Sequence, residues 1–176
     1  MIVFLQTDSR FPFLWESTQQ PEARYNAAGD GPVQYFADTC DGAWAEFVRH
    51  AEITDVEELS DVRRALWCIE VDDAQFEEST PVDLSYEIAT GNRTTCETCW
   101  NYARSLRDRG ILRIKAPSAA IKRQEAGGFR VQEGIKPGQP RDGYIFVVFD
   151  IMPNITGWKA AEAGPPEHVL AKTRHF

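Results

Sequence analysis

Apolar positions along the chain change period several times, and each change marks a different element. The opening "MIVFL" is an apolar run that predicts a short strand over residues 1–5. No period holds from 6 to 31, where Pro12, Pro21, Gly29 and Gly31 punctuate turns. "PVQYFAD" (32–38) is short and β-prone, and alternation puts Val33 and Tyr35 on one face. The spacing then lengthens. Trp44, Phe47, Val48 and Ala51 form a helical stripe, predicting a helix from about Asp41 to Ala51. "TDVEEL" carries a capping box, Thr54 with Glu57, which predicts a further short helix. "LWCIEV" (66–71) reads as a buried strand, and 72–93 as acidic and irregular. "TTCETCWNYARSLRDRG" is the clearest helix: Thr94 and Glu97 form a capping box, Cys96, Cys99, Trp100, Ala103 and Leu106 share a face, and Gly110 stops it. "ILRIK" follows as a strand running into "APSAAI". After a Gly/Pro-rich stretch, "GYIFVVFD" (143–150) reads as another buried strand, and "VLAKTRHF" as a closing one. Strands with helices placed irregularly among them predict an α+β fold, since the strict alternation of a doubly wound fold is missing.

Length and charge narrow the partners. A chain of 176 residues with 43% hydrophobic and 26% charged residues is expected to be one globular domain with a real core. A net charge of −8 repels nucleic acid over most of the surface. The basic clusters "RRALW" and "RSLRDRGILRIK" are broken by apolar residues, so they read as solvated faces and no direct nucleic-acid role is expected. No segment is long and apolar enough to cross a bilayer, and the start lacks the features of a signal peptide. A reduced, cytoplasmic setting is therefore expected for Cys40, Cys68, Cys96 and Cys99.

The usual chemical signatures are sparse. "CETC" stands alone, without a nearby histidine, on the apolar face of its predicted helix; core packing is the expected role, and no metal site is predicted. There is no phosphate-cradling glycine pattern, and Ser118 lacks a GxSxG context. What stands out is "RYNAAGDGPVQYFADTCDGAWAEF" (24–47), in which Arg24, Tyr35 and Glu46 recur at steps of 11 residues. Taken singly, each has an ordinary explanation: a solvated arginine in a turn, a tyrosine on a packed strand face, a solvated glutamate away from its helix's apolar stripe. Glu46 and His50, one helical turn apart, would touch as a surface pair.

Taken together, "ARYN", "GPVQYFADT" and "DGAWAEFVRH" resemble the signature of the RES domain family, named for its arginine, glutamate and serine. "IKAPSAA" resembles the later serine motif, and with "FLWES" the resemblance runs from about Phe11 to the final "RHF". Two positions depart from the pattern: Ala23 stands where glycine is common, and Tyr25 where tryptophan or another aromatic is usual, the second mildly because an aromatic is retained. The resemblance implies an ADP-ribosyltransferase-like fold, a split β-core with helices around a NAD-binding cleft. It also implies an NAD+-consuming toxin of a toxin–antitoxin pair, whose partner is a helix-turn-helix antitoxin. Family members commonly associate, which leaves homo-oligomerisation open.

The same resemblance assigns Arg24, Tyr35, Glu46 and Ser118 to the site. Cleaving the nicotinamide–ribose bond builds an oxocarbenium-like ribose, as in glycoside cleavage, which a carboxylate such as Glu46 stabilises. Arg24 offers a fork to the diphosphate, with Arg10 in another turn as a second candidate. Tyr35 offers an aromatic face to nicotinamide and a hydroxyl to ribose or phosphate. Ser118 fits a phosphate donor or a support for Arg24 or Glu46 better than a nucleophile, because no base partner is visible. The acceptor — phosphate, water or a protein side chain — stays open. The competing expectation is a RES-fold module that binds a nucleotide or a protein without turnover.

Overall fold

The structure is a computed structural model and describes residues 1–11, 13, 14, 17, 19–72, 76, 84–152 and 154–176. Pro12 of the turn-rich stretch, Trp15 and Glu16 of "FLWES", and much of the acidic stretch after residue 72 lie outside the described residues.

The chain opens with β1 (Ile2–Asp8), followed by a long turn region and β2 (Gln34–Ala37). Helix α1 (Cys40–His50) starts at Thr39, whose side chain accepts the Gly42 amide. Its stripe packs largely as expected: Trp44 and Val48 are buried and Phe47 joins them at the margin, but Ala51 is exposed. Helix α2 (Val56–Ser60) is present with a capping box one residue later than predicted. Asp55 and Glu58 form it, because Asp55 is the extended residue just before the first turn: its carboxylate accepts the Glu57 amide at 2.9 Å while Glu58 accepts the Asp55 amide at 3.3 Å. Strand β3 (Arg64–Glu70) follows.

The stretch read as irregular contains α3 (Tyr86–Ala89), capped by Ser85, and a 3₁₀ turn at Arg93–Thr95. That turn displaces the box expected from Thr94 and Glu97. Thr94 bonds Asn92 instead, and α4 (Cys96–Asp108) begins at Thr95 with no side-chain cap. Cys99, Ala103 and Leu106 are buried, and Gly110 ends the helix with φ of 77°.

Strand β4 (Arg113–Pro117) comes next. The Gly/Pro-rich stretch then folds into an exposed hairpin, β5 (Phe129–Val131) with β6 (Ile135–Pro137). β7 (Tyr144–Val148) is the buried strand expected. Two differences close the chain. β8 (Thr156–Ala163) has no counterpart among the predicted elements, because it is a mostly exposed edge strand with little apolar alternation. The predicted closing strand is helix α5 (Glu167–Lys172), which buries Val169 against α1; only Thr173 forms a lone bridge, to Ile121.

All strand pairs of the main sheet are antiparallel, in the order β4-β7-β2-β1-β3-β8. This is the α+β fold that the pattern and the resemblance implied. The sheet is nearly divided. β1 pairs β3 along its whole length, but meets β2 in a single pair, Phe4 with Ala37. Helices α1 and α5 pack on the β1–β3 half, and α4 packs on the β4–β7 half. On the opposite face Val3, Phe36, Ile69, Phe146 and Val148 form a core that bridges both halves. Alternation explains the two-sided sheet: Phe36 points to that core while Tyr35 points back toward α4.

Candidate active site

A cleft of about 550 Å³ opens where β1 and β2 part. Phe4, Leu5 and Gln6 line it from β1, Tyr35, Phe36 and Ala37 from β2, and Glu46, Arg49 and His50 from α1. Arg24, Cys96, Trp100 and Phe176 contribute further walls. Three of the residues singled out in the sequence, Arg24, Tyr35 and Glu46, thus face one cavity. Their even spacing has no geometric meaning: one lies in a turn, one on a strand and one on a helix.

Arg24 sits at the tip of a turn closed by reciprocal Ala23 and Asn26 backbone bonds of 3.0 and 3.3 Å. Ala23 avoids the left-handed region, so glycine is not required at this departure from the family pattern. The indole of Trp100 donates to the Ala23 carbonyl at 2.7 Å and ties the turn to α4. Tyr25, the second departure, is fully buried and part of the core under α4. The Arg24 guanidinium reaches the far wall, donating to Ile88 O at 3.2 Å, Thr95 Oγ1 at 3.1 Å and Gly91 O at 2.6 Å.

Tyr35 uses its hydroxyl internally. The hydroxyl accepts the Tyr25 amide at 3.0 Å and donates to Asn26 Oδ1 at 2.7 Å. Burial pushes its pKa up and keeps the phenol neutral. What Tyr35 offers the cleft is its ring.

Glu46 lies on the α1 face away from the helix's packed stripe, its side chain about a quarter exposed at 26%. Ser118 donates to one carboxylate oxygen at 3.2 Å, and His50 Nε2 lies 3.6 Å from the other. Ser118 is buried just after β4, and its Oγ also accepts the Ala120 and Ile121 amides at 3.2 and 3.3 Å. It therefore stands behind the wall, in contact with Glu46. Arg10 is not brought to the cleft: it is exposed and forks onto Asp8 at 3.0 and 2.8 Å.

Sequence reasoning overlooked Arg49. It follows Glu46 by three residues, so the spacing rule that pairs Glu46 with His50 would have placed it on the same helical flank. It is 3% exposed and donates to Ala119 O at 2.5 Å, Gly91 O at 2.8 Å and Arg174 O at 2.9 Å. Burial, then the neighbouring Arg24, pushes its pKa down to about 10. Phe176, whose ring lies 4.3 Å from the Arg49 guanidinium, was also missed; nothing local in the sequence brings it to this wall.

The family model described as RES domain matches residues 6–129. Among solved structures, the toxin chain of the M. tuberculosis MbcT–MbcA toxin–antitoxin complex is similar, with a TM-score of 0.64 over 93% of this chain and 84% of that one. At 16% identity this is a likeness of fold. No curated protein matches.

Proposed function

The chain belongs to the RES domain family, and from that premise we propose that it consumes NAD+ by cleaving the nicotinamide–ribose bond. One observation carries the reading. The Glu46 carboxylate, oriented by Ser118, faces the same cleft as the Tyr35 ring and the Arg24 guanidinium. In the proposed reaction the C1′–N bond breaks and both electrons leave with nicotinamide, whose ring cation becomes neutral. The ribose is left as an oxocarbenium ion until an acceptor adds to C1′ and gives up its proton. Glu46 stabilises that cation. At roughly 4 Å and an effective dielectric near 20, the attraction is about 4 kcal/mol, or roughly a thousandfold in rate. The Tyr35 ring packs on nicotinamide, and Arg24 meets the diphosphate. The fold likeness to the toxin chain of a toxin–antitoxin complex supports a toxin held in check by an antitoxin.

Nicotinamide release from NAD+, followed with water alone, with added phosphate and with a protein acceptor, tests this reading. Wild type is expected to release nicotinamide in at least one arm, and Glu46→Gln to be slower by roughly a thousandfold. Equal inactivity of the two in every arm would sink it. A second reading, binding without turnover, draws on the fact that Arg24 and the Tyr35 hydroxyl already have partners within the protein. Calorimetric NAD+ binding with no product in any arm is the outcome that favours it.

A further inference from the structure

We propose that Arg49 is the second cation of a two-guanidinium subsite, shared with Arg24, that takes the diphosphate of a nucleotide. This deepens the reading above and rests on the same cleft. A buried cation loses its hydration and is normally compensated by a carboxylate. Arg107, whose side chain is 18% exposed, has one in Asp30, at 3.7 Å. Among the described residues Arg24 and Arg49 have no carboxylate at ion-pair distance; their hydrogen bonds go to neutral oxygens. Glu46, the nearest acid on the Arg49 helix, is engaged by Ser118 and His50.

The two guanidiniums also converge. Both donate to the carbonyl of Gly91, at 2.6 Å from Arg24 and 2.8 Å from Arg49. Two like charges on one neutral oxygen repel each other, and an anion bound beside them offsets that repulsion. Phe176 lies against Arg49, limiting the water that would otherwise screen the pair. Both arginines line the cleft that holds Glu46. A diphosphate fits this arrangement better than a single carboxylate, because it brings two charges and enough oxygens for two planar forks. Arg49 thus deepens a positive floor next to the negative wall, and a dinucleotide is held by its centre with its ribose toward Glu46.

ADP is the probe, because it carries the diphosphate and has no nicotinamide to lose; adenosine is its control. Calorimetry is expected to show ADP binding to wild type, weakened about tenfold or more in Arg49→Gln. Arg49→Lys, which keeps the charge but not the fork, is expected to fall between, and adenosine affinity to be unchanged. Pyrophosphate is expected to raise the melting temperature of wild type, a measurement that needs no variant. A folded Arg49→Gln protein with wild-type ADP affinity would overturn the subsite, as would a wild type indifferent to both ADP and pyrophosphate. The two proposals fail separately. Arg49-dependent ADP binding without nicotinamide release leaves the subsite and removes the enzyme. Nicotinamide release with ADP affinity and KM for NAD+ untouched by Arg49→Gln does the reverse.

Discussion

Tyr35 divides its work between the two ends of one side chain. Its ring faces the cleft, while its hydroxyl joins the Arg24 turn to β2 through Tyr25 and Asn26. Tyr35→Phe is therefore expected to cost about 1–3 kcal/mol in urea denaturation, because a buried amide loses its acceptor. Nicotinamide release should stay within a few-fold of wild type, since the ring remains. Ser118 shows the complementary case. Its hydroxyl serves two backbone amides and the Glu46 carboxylate at once. Ser118→Ala should lower stability by a similar amount, about 1–3 kcal/mol, and slow nicotinamide release by about tenfold as Glu46 loses its orientation. An unchanged rate would show that Ser118 serves the backbone alone. At this scale, motif residues were legible and their working ends were not. The residue type of Tyr35 suggests both a ring and a hydroxyl donor, and only the fold decides which end meets solvent. Arg10 and Arg24 look equivalent as arginines in turns. Asp8, two residues before Arg10, is close enough to capture it locally, whereas Arg24 has to cross the cleft to find acceptors.

At the scale of elements, α1 carries the site and α5 braces it. Asp41, in the first turn of α1, is bound by Lys172 at 2.6 Å and by His168 at 3.0 Å from α5. Burial alone would raise the Asp41 pKa, but these contacts outweigh it and hold the carboxyl below its usual value. A depressed carboxyl contributes stability above its unfolded pKa and loses it as pH falls through the folded one. The α1–α5 brace should therefore be intact at neutral pH and weaken from about pH 4 downward. Asp41→Asn is expected to lower stability at pH 7 by about 1 kcal/mol, with the difference from wild type vanishing in acid. Denaturation curves at pH 7 and pH 3 measure both. A gap as large at pH 3 as at pH 7 would argue against the carboxylate. Strong periods made α1, α4, β3 and β7 readable. α5 was misread as a strand because six residues give too few turns for a helical period to appear, and β8 was missed because an exposed edge needs little alternation.

At the scale of the molecule, the sheet's near-division makes the cleft, and the β5–β6 hairpin stands apart from the core. Alternation puts Phe129, Val131, Ile135 and Pro137 on one face of the hairpin and Arg130 with Lys136 on the other. All six residues are exposed. Replacing Val131 and Ile135 together by threonine should change stability by less than about 0.5 kcal/mol. Leu106→Ala, in the core beneath α4, should cost about 2–5 kcal/mol. Urea midpoints separate the two, and a loss of about 2 kcal/mol or more from the hairpin pair would mean that its apolar face is covered in solution.

The chain's own order of residues determined the α+β class, the principal helices and strands, and the membership of Arg24, Tyr35, Glu46 and Ser118 in one family pattern. These follow from local periodicity and from motifs read within short windows. The tertiary structure alone decided that β1 and β2 touch at one pair and open a cleft there, and that Ser118 stands behind Glu46. It alone brought Arg49 and Arg24 to the same carbonyl of Gly91. Those contacts join residues 42 to 72 positions apart. A hydrogen bond across such a separation leaves no period in the sequence, because each partner's neighbours are selected for their own element.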